Sequence, residues 1–187
     1  AAGATFEALG CTVEAATPEV ENPARAFATM WAVSYASRYG DKLEEWRAEM
    51  NPRLVALIEQ GRERLATEYA AAALTREVYW ERLQPFFEKY DLLLTPATAI
   101  PAFEVTKFEI TEIAGVKGSP ILDWTPFTYP FNFTGQPAAS VPCGWTAEGL
   151  PVGLQIVGRR FDDATVLRAA AAFEQASPWV DKRPPLD

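Results

Sequence analysis

The chain has 187 residues, a formal charge of −8 and no histidine. Without histidine there is no Ser–His–Asp triad, no Cys–His pair and no HExxH zinc site, so proton transfer near neutral pH falls to carboxylates, Lys, Tyr or Cys. The net acidity argues against nucleic-acid or membrane-surface binding, and no apolar run reaches the roughly 18 residues that a membrane span needs.

The length and a hydrophobic content of 49% suit a single domain over residues 1–187 with a sizeable core. Cys11 and Cys143 lie far apart without CxxC spacing, which fits a reducing, cytoplasmic setting. Both read as small buried hydrophobes.

In chain order, Ala2, Phe6 and Leu9 repeat at helical spacing and Gly10 follows as a C-cap signal. No N-cap residue precedes this helix, so it reads as cut, with sequence expected upstream of Ala1. Residues 11–15 read as a short strand. Residues 22–90 are helical and amphipathic. Asn22–Pro23 is a cap-plus-Pro start, Phe27, Met30, Trp31 and Tyr35 form a stripe, and Gly40 ends it. Asp41 caps a short helix with Leu43, Trp46 and Met50. Asn51–Pro52 repeats the start signal, and Leu54, Val55, Leu57, Ile58 and Leu65 continue the apolar face. A long helix is expected from Thr67 to Gln84, kinked or ended by Pro85 before a last turn with Phe86 and Phe87.

Residues 91–176 change character to strands, loops and a final helix. Asp91–Pro96 reads as a strand buried on both faces. Residues 97–137, rich in Pro, Gly, Thr and aromatics, read as loop. Ala138–Cys143 and Val152–Val157 read as strands around a turn at Thr146–Gly149, with Pro142 and Pro151 at strand ends or edges. Asp162 or Asp163 caps a helix carrying Val166, Leu167, Ala170 and Phe173, and Ser177–Pro178 stops it. Helices packed on a few buried strands indicate an α/β fold with a mixed or parallel sheet.

No nucleophile motif is present. Ser34, Ser37, Ser119, Ser140 and Ser177 lie in no Gly-x-Ser-x-Gly elbow, and there is no Ser-x-x-Lys pair, P-loop or GxGxxG. Arg159–Arg160 reads as a salt-bridging pair at a strand end, with anion contact as the alternative. The richest stretch is Trp124–Pro142, where Trp124, Phe127, Tyr129, Phe131 and Phe133 surround Asn132, Thr134 and Gln136. Such a mixture lines small-molecule pockets, and it equally packs a loop onto a core. Both readings stand for Trp124 and Phe127. Packing is expected for Phe131 and Phe133, and Asn132 suits a turn.

Three ordered blocks carry a resemblance: DLLLTPATAIPAF at 91–103, PFNFTGQPAASVPCG at 130–144 and GLPVGLQIVGRRFDDATVLRAAAAFE at 149–174. Together with FEALGCTVE at 6–14, they resemble the C-terminal part of amidase signature enzymes. The resemblance implies the last portion of an α/β/α fold around a large mixed sheet, and hydrolysis of a carboxylic amide without cofactor or metal. Family members use a Ser nucleophile, a second Ser that relays the proton and a Lys base, with backbone N–H groups forming the oxyanion hole. This chain has no Ser-Ser and no Gly-Gly dipeptide, so no catalytic residue transfers onto it and the chain alone is expected to be inactive.

What the resemblance assigns here is sheet and one wall of the substrate pocket, with Thr95, Trp124, Thr125, Phe127 and Asn132 as substrate-binding candidates. Glutamine-using relatives carry an Asp at the position of Thr125. Thr cannot hold the glutamine amino group by charge, and the aromatics suggest an apolar acyl or aryl amide. The expected partners are a small-molecule amide, bound only together with the N-terminal part, and further copies in a homo-oligomer. The alternative is a non-catalytic binding or dimerisation module using Trp31, Trp46 and Trp80 of the helical segment.

Overall fold

A computed structural model describes residues 1–106, 112–113, 115–117 and 122–182. The chain divides into two compact units, residues 20–83 and residues 1–19 with 84–187. Among the described residues no helix is long and apolar enough to cross a membrane.

The first unit is helical. It holds α2 (Ala24–Tyr39), a 3-10 turn (Gly40–Lys42), α3 (Leu43–Trp46), α4 (Pro52–Glu63) and most of α5 (Ala66–Lys89), numbered after α1 (Ala2–Ala8) of the other unit. Asn51 caps α4 as expected, its side chain accepting from the Arg53 N–H at 2.9 Å with Pro52 in the first turn. Asn22 works one residue further out. Its Oδ1 accepts from the Ala24 N–H at 2.9 Å, and Pro23 takes the cap position.

The aromatic stripe is a ladder along α2. Phe27–Trp31, Trp31–Tyr35 and Tyr35–Tyr39 have ring centroids 5.7, 5.9 and 5.7 Å apart. These rings are only half-buried, and the buried face of α2 is Ala26, Thr29 and Ala32. Small residues let α4 approach closely, and Leu43, Val55 and Ile58 fill the core beside Tyr35, Tyr39 and Met50.

Gly40 ends α2 as expected: it is the C-cap, with right-handed helical angles (φ −55°, ψ −47°), and leads into the 3-10 turn. Three expectations in this region are corrected. Asp41 lies inside that turn and caps nothing, since the cap position of α3 is Lys42. Leu65 is 66% exposed because α4 stops at Glu63 and Arg64 is extended, which turns the next residue off the apolar face. Pro85 does not end α5, which runs on to Lys89. Pro85 and Glu81 are both exposed, so the carbonyl that loses its helical donor faces water.

The second unit is a three-stranded sheet with helices packed on it. The strands are β1 (Leu92–Pro96), β4 (Ala138–Trp145) and β5 (Pro151–Gly158), in the order β1-β5-β4, and among the described residues every pairing is antiparallel. A short hairpin joins β2 (Glu112–Ile113) to β3 (Val116–Lys117). Pro151 opens β5, and Pro142 sits on the edge strand β4 where the register shifts between Pro142 and Gly144. The β4–β5 turn closes at Thr146–Gly149, the Thr146 N–H bonding the Leu150 carbonyl at 2.8 Å.

One sheet face is dry. Leu154, Ile156 and Val141 pack with Phe6 of α1 and with Val166 and Phe173 of α7 (Asp163–Ala176), and Leu92, Leu94, Ala139, Cys143 and Trp179 flank them. Leu167 is 66% exposed, contrary to expectation, because the buried stripe of α7 runs Val166–Phe173 and Leu167 lies about 100° round from Val166. The helix α1 ends in a Schellman motif. The Cys11 N–H reaches the Phe6 carbonyl at 3.0 Å, the Gly10 N–H reaches Glu7 at 2.9 Å, and Gly10 has φ 89°.

Residues 11–15 are not a strand, because no ladder partner meets them among the described residues. The segment is held by side chains instead, Val13 against the core and Glu14 against Lys89 at 2.7 Å. Cys11 is exposed rather than buried, since the Schellman turn carries it away from the core side of α1.

Asp162 caps α7, accepting from the Thr165 N–H at 3.3 Å. Hydrogen bonding from the Thr165 side chain, then its backbone N–H, then Arg168 and Arg159, outweighs desolvation and holds the Asp162 carboxyl below its usual range. A carboxylate whose pKa falls on folding stabilises the fold above its unfolded value. That contribution is lost as pH drops through the folded value. Asp162→Ala should therefore lower α7 stability at pH 7 and flatten its pH dependence below about pH 4. Helix content against pH, compared between the two proteins, measures this. Parallel curves would show that the cap carboxylate does not titrate with folding.

Candidate functional site

Side chains alternate along a strand, so the β5 residues that alternate with Leu154 and Ile156 point away from the dry face. Gln155 is one of them, and it is 4% exposed. Its partners across the sheet are Thr95 on β1 and Ser140 on β4, which makes a polar row over three strands. A buried carboxamide must find hydrogen bonds. Gln155 Nε2 donates to Thr95 Oγ1 at 2.9 Å and to the Phe127 carbonyl at 2.6 Å. A carbonyl oxygen only accepts, so the nitrogen of the carboxamide is the atom that faces Phe127.

The bond also sets the Thr95 hydroxyl. Having accepted from Gln155, Thr95 Oγ1 donates to the Pro96 carbonyl at 3.0 Å. Its proton is committed, and toward a ligand it offers a lone pair.

Trp124 and Thr125 precede Phe127 on the same segment. The Trp124 carbonyl accepts from the Ala99 N–H at 3.0 Å, and its ring meets Phe103 edge-on at 5.8 Å. Thr125 turns the chain: its Oγ1 donates to the Leu122 carbonyl at 3.4 Å, and its own carbonyl accepts from the Thr128 N–H at 3.1 Å. Trp124, Thr125 and Phe127 are all half-buried. A cleft of ≈ 160 Å³ is lined by residues 98–102 and by Pro151, Val152 and Gly153 of β5; Ala99, bonded to Trp124, is on its wall, while Thr95, Trp124, Thr125 and Phe127 are not.

Asn132 lies elsewhere. The stretch 97–137 is not all loop, because Tyr129–Thr134 forms α6, and Asn132 sits exposed on that helix rather than in a turn. Pro130 in the first turn and Gly135 beyond the last are the signals that mark this helix. Phe131 and Phe133 are buried, as expected of packing residues. Asn132 lines a separate cleft of ≈ 410 Å³ with Gln136, Phe161 and Asp163. Gln136 fastens the end of α6 to β5 by accepting from the Thr134 hydroxyl at 2.8 Å and donating to the Gly158 carbonyl at 3.1 Å.

The structure thus joins Thr95 to Phe127 through Gln155, keeps Trp124 and Thr125 on the same segment, and sets Asn132 in a different cleft. Sequence reasoning missed Gln155 itself. The signal was available: a lone carboxamide inside Leu154–Val157 must be buried and therefore bonded.

Neither Cys143 nor Lys89 is activated as a nucleophile or base. Burial raises the Cys143 thiol above its usual range, so it stays protonated. Lys89 bonds Glu14 at 2.7 Å and the Tyr90 hydroxyl at 2.6 Å, and these bonds, that to Glu14 first, raise its pKa and hold it as a cation. Arg159 is a strand-end anchor, donating to the Phe87 carbonyl at 2.6 Å and pairing with Asp91 at 3.2 Å. Ser119 lies outside the described residues. Among the described residues no group of three or more Cys, Asp or Glu side chains could hold a metal ion.

The sequence profile described as Amidase matches residues 1–167. An acylamidase from Rhodococcus erythropolis is 37% identical over 186 residues, covering 97% of this chain and 38% of that protein. A glutamyl-tRNA(Gln) amidotransferase subunit from Thermodesulfovibrio yellowstonii is 34% identical over 206 residues, covering 97% of this chain and 41% of that protein. Among solved structures, a bacterial aryl acylamidase of the amidase signature family superposes with a TM-score of 0.83 at 29% identity, over 98% of this chain and 41% of that one. The chain therefore spans about two fifths of the length of these relatives. It has their fold over that span, and it belongs to the amidase signature family.

Proposed function

We propose that this chain is the C-terminal portion of an amidase that hydrolyses a carboxylic amide to an acid and an amine or ammonia. The Ser–Ser–Lys triad lies in an upstream portion, and these 187 residues act as one part of a single amidase domain, supplying sheet and one wall of the substrate pocket. One observation carries the reading: identity of 37% extends over 97% of this chain but only 38% of an acylamidase, while the chain contains no Ser-Ser dipeptide. Thr95, Trp124, Thr125 and Phe127 form the wall, and Asn132 borders a second cleft. An apolar acyl or aryl amide is the substrate class, supported by the aromatic Trp124–Phe127 segment and by the likeness to an acylamidase and an aryl acylamidase. The unpaired cysteines favour a cytoplasmic setting, and association belongs to the same reading, either with the upstream portion or as a homo-oligomer.

The test is turnover of an aryl amide such as an acylated nitroaniline. The chain alone is expected to release no nitroaniline. Co-expression with its upstream coding sequence is expected to restore release, and replacing the upstream nucleophilic Ser is expected to abolish it. Turnover by the chain alone, removed by Cys143→Ala, would overturn the proposal. Sedimentation at two concentrations reads the association.

A further inference from the structure

We propose that Gln155 is a positioning residue: it holds the Trp124–Phe127 segment in place and so sets the fit of the amide substrate against that wall. The inference rests on the pocket-wall reading above. Two long-range hydrogen bonds bracket the segment, the Ala99 N–H to the Trp124 carbonyl at 3.0 Å and Gln155 Nε2 to the Phe127 carbonyl at 2.6 Å. The bonds from Thr125 to Leu122 and from Thr128 to Thr125 span three residues each, and they shape the turn without fixing it to the sheet. Gln155 comes from the central strand of the sheet and is 4% exposed, so its carboxamide is held by packing on a rigid element. The same nitrogen reaches Thr95 on β1, which locks the direction of the carboxamide and aims its second N–H at Phe127. Neither partner is near it in sequence, at separations of 60 and 28 residues.

Hydrogen exchange in the 187-residue chain tests the tether. The Ala99 amide, bonded to Trp124, and the Thr128 and Tyr129 amides, bonded to Thr125, report on the segment. The Ala97 amide, bonded to the Gly153 carbonyl at 2.9 Å, reports on the sheet beside it. Gln155→Met keeps the length and removes both donors. It is expected to speed exchange at Ala99, Thr128 and Tyr129 by about two- to ten-fold, the value of one hydrogen bond, and to leave Ala97 unchanged. Gln155→Asn keeps the amide but is one carbon short, and it should act in the same direction. Thr95→Val removes the acceptor that aims the carboxamide, and it should speed the same three reporters by less than Gln155→Met does. No change at the reporters in either Gln155 variant, or an equal rise at Ala97, would overturn the proposal.

The amidase assembled with its upstream portion supplies the second readout. Gln155→Met is expected to raise KM for an aryl amide by about ten-fold, more than it lowers kcat. Faster exchange without a change in KM would overturn the role in substrate fit. A wild-type assembly that turns over no amide would sink the proposed function, while the exchange result would still decide the tether.

Discussion

Phe173→Ala is expected to destabilise the unit that contains the sheet by about 3–5 kcal/mol, the usual cost of truncating a buried Phe. Phe173 is 1% exposed and stacks on Phe6 with ring centroids 5.5 Å apart at 26°. Around the pair lie Val141, Leu154, Ile156 and Val166, three of them on the rigid sheet, so the surroundings can collapse only a little into the space left. A second loss adds to the cavity. The helix α1 has seven residues and no side-chain cap, and a helix that short is not stable by itself in water. Its buried side chain is Phe6, so α1 depends on Phe173 for its place. Urea unfolding followed by exchange at the Phe6 and Cys11 amides should show both effects. Leu167→Ala, six residues earlier on the same helix but 66% exposed, should stay within about 0.5 kcal/mol of the parent. A loss below about 1 kcal/mol for Phe173→Ala would mean that the Phe6–Phe173 pair is not the centre of this core.

The same contrast shows what is legible in the sequence. The Schellman turn at Gly10, the Asn51–Pro52 start and the Asp162 cap are made by residues within a few positions of each other. Local chemistry decides them, and the residue types announce it. The three strands around Leu93, Val141 and Ile156 are also readable, because a buried strand shows as an apolar run. The periodic pattern fails where an element ends or where exposure is decided by a distant neighbour. Leu65 and Leu167 fit an apolar stripe by spacing, but the end of α4 and the narrowness of the α7 contact leave them in water. Residues 11–15 have strand-like composition, but a strand exists only where a ladder partner does.

The candidate site divides in the same way. The resemblance points to Thr95 and to the Trp124–Phe127 segment, and both meet at Gln155. Gln155 is hidden in the sequence because its role is a contact across 60 and 28 residues, which no local pattern records. Closeness in sequence groups Asn132 with the wall residues. The intervening helix α6 carries it to another cleft, and a six-residue helix hidden among Pro and aromatics is the feature that obscures this.

Two glycines of the helical unit are expected to respond to the same substitution with opposite sign. Gly61 lies on α4 where it crosses α2. A Cβ there would overlap the Ala32 carbonyl of α2 and stand 2.7 Å from Ala36 Cβ. The obstacle is helix backbone, which cannot rotate away as a side chain could, so α2 and α4 must separate. Forcing a methyl group into a packed contact costs about 1–3 kcal/mol and sometimes more, while replacing a mid-helix Gly with Ala returns up to about 1 kcal/mol of propensity. Gly61→Ala is therefore expected to destabilise the unit by roughly 2 kcal/mol net, loosening Val55 and Ile58 beside it on α4. At Gly40 the balance reverses. Its angles are already right-handed helical, and a Cβ would meet Arg62 Nε at 3.5 Å, an ordinary contact with a flexible side chain. The bond from Arg62 to the Gly40 carbonyl uses backbone and survives the change. Gly40→Ala should stabilise by about 0.4–1 kcal/mol through the unfolded chain's lost freedom. Urea midpoints of the two single variants measure the pair. Equal and small shifts would show that α2 and α4 do not approach at Gly61 as closely as the geometry requires.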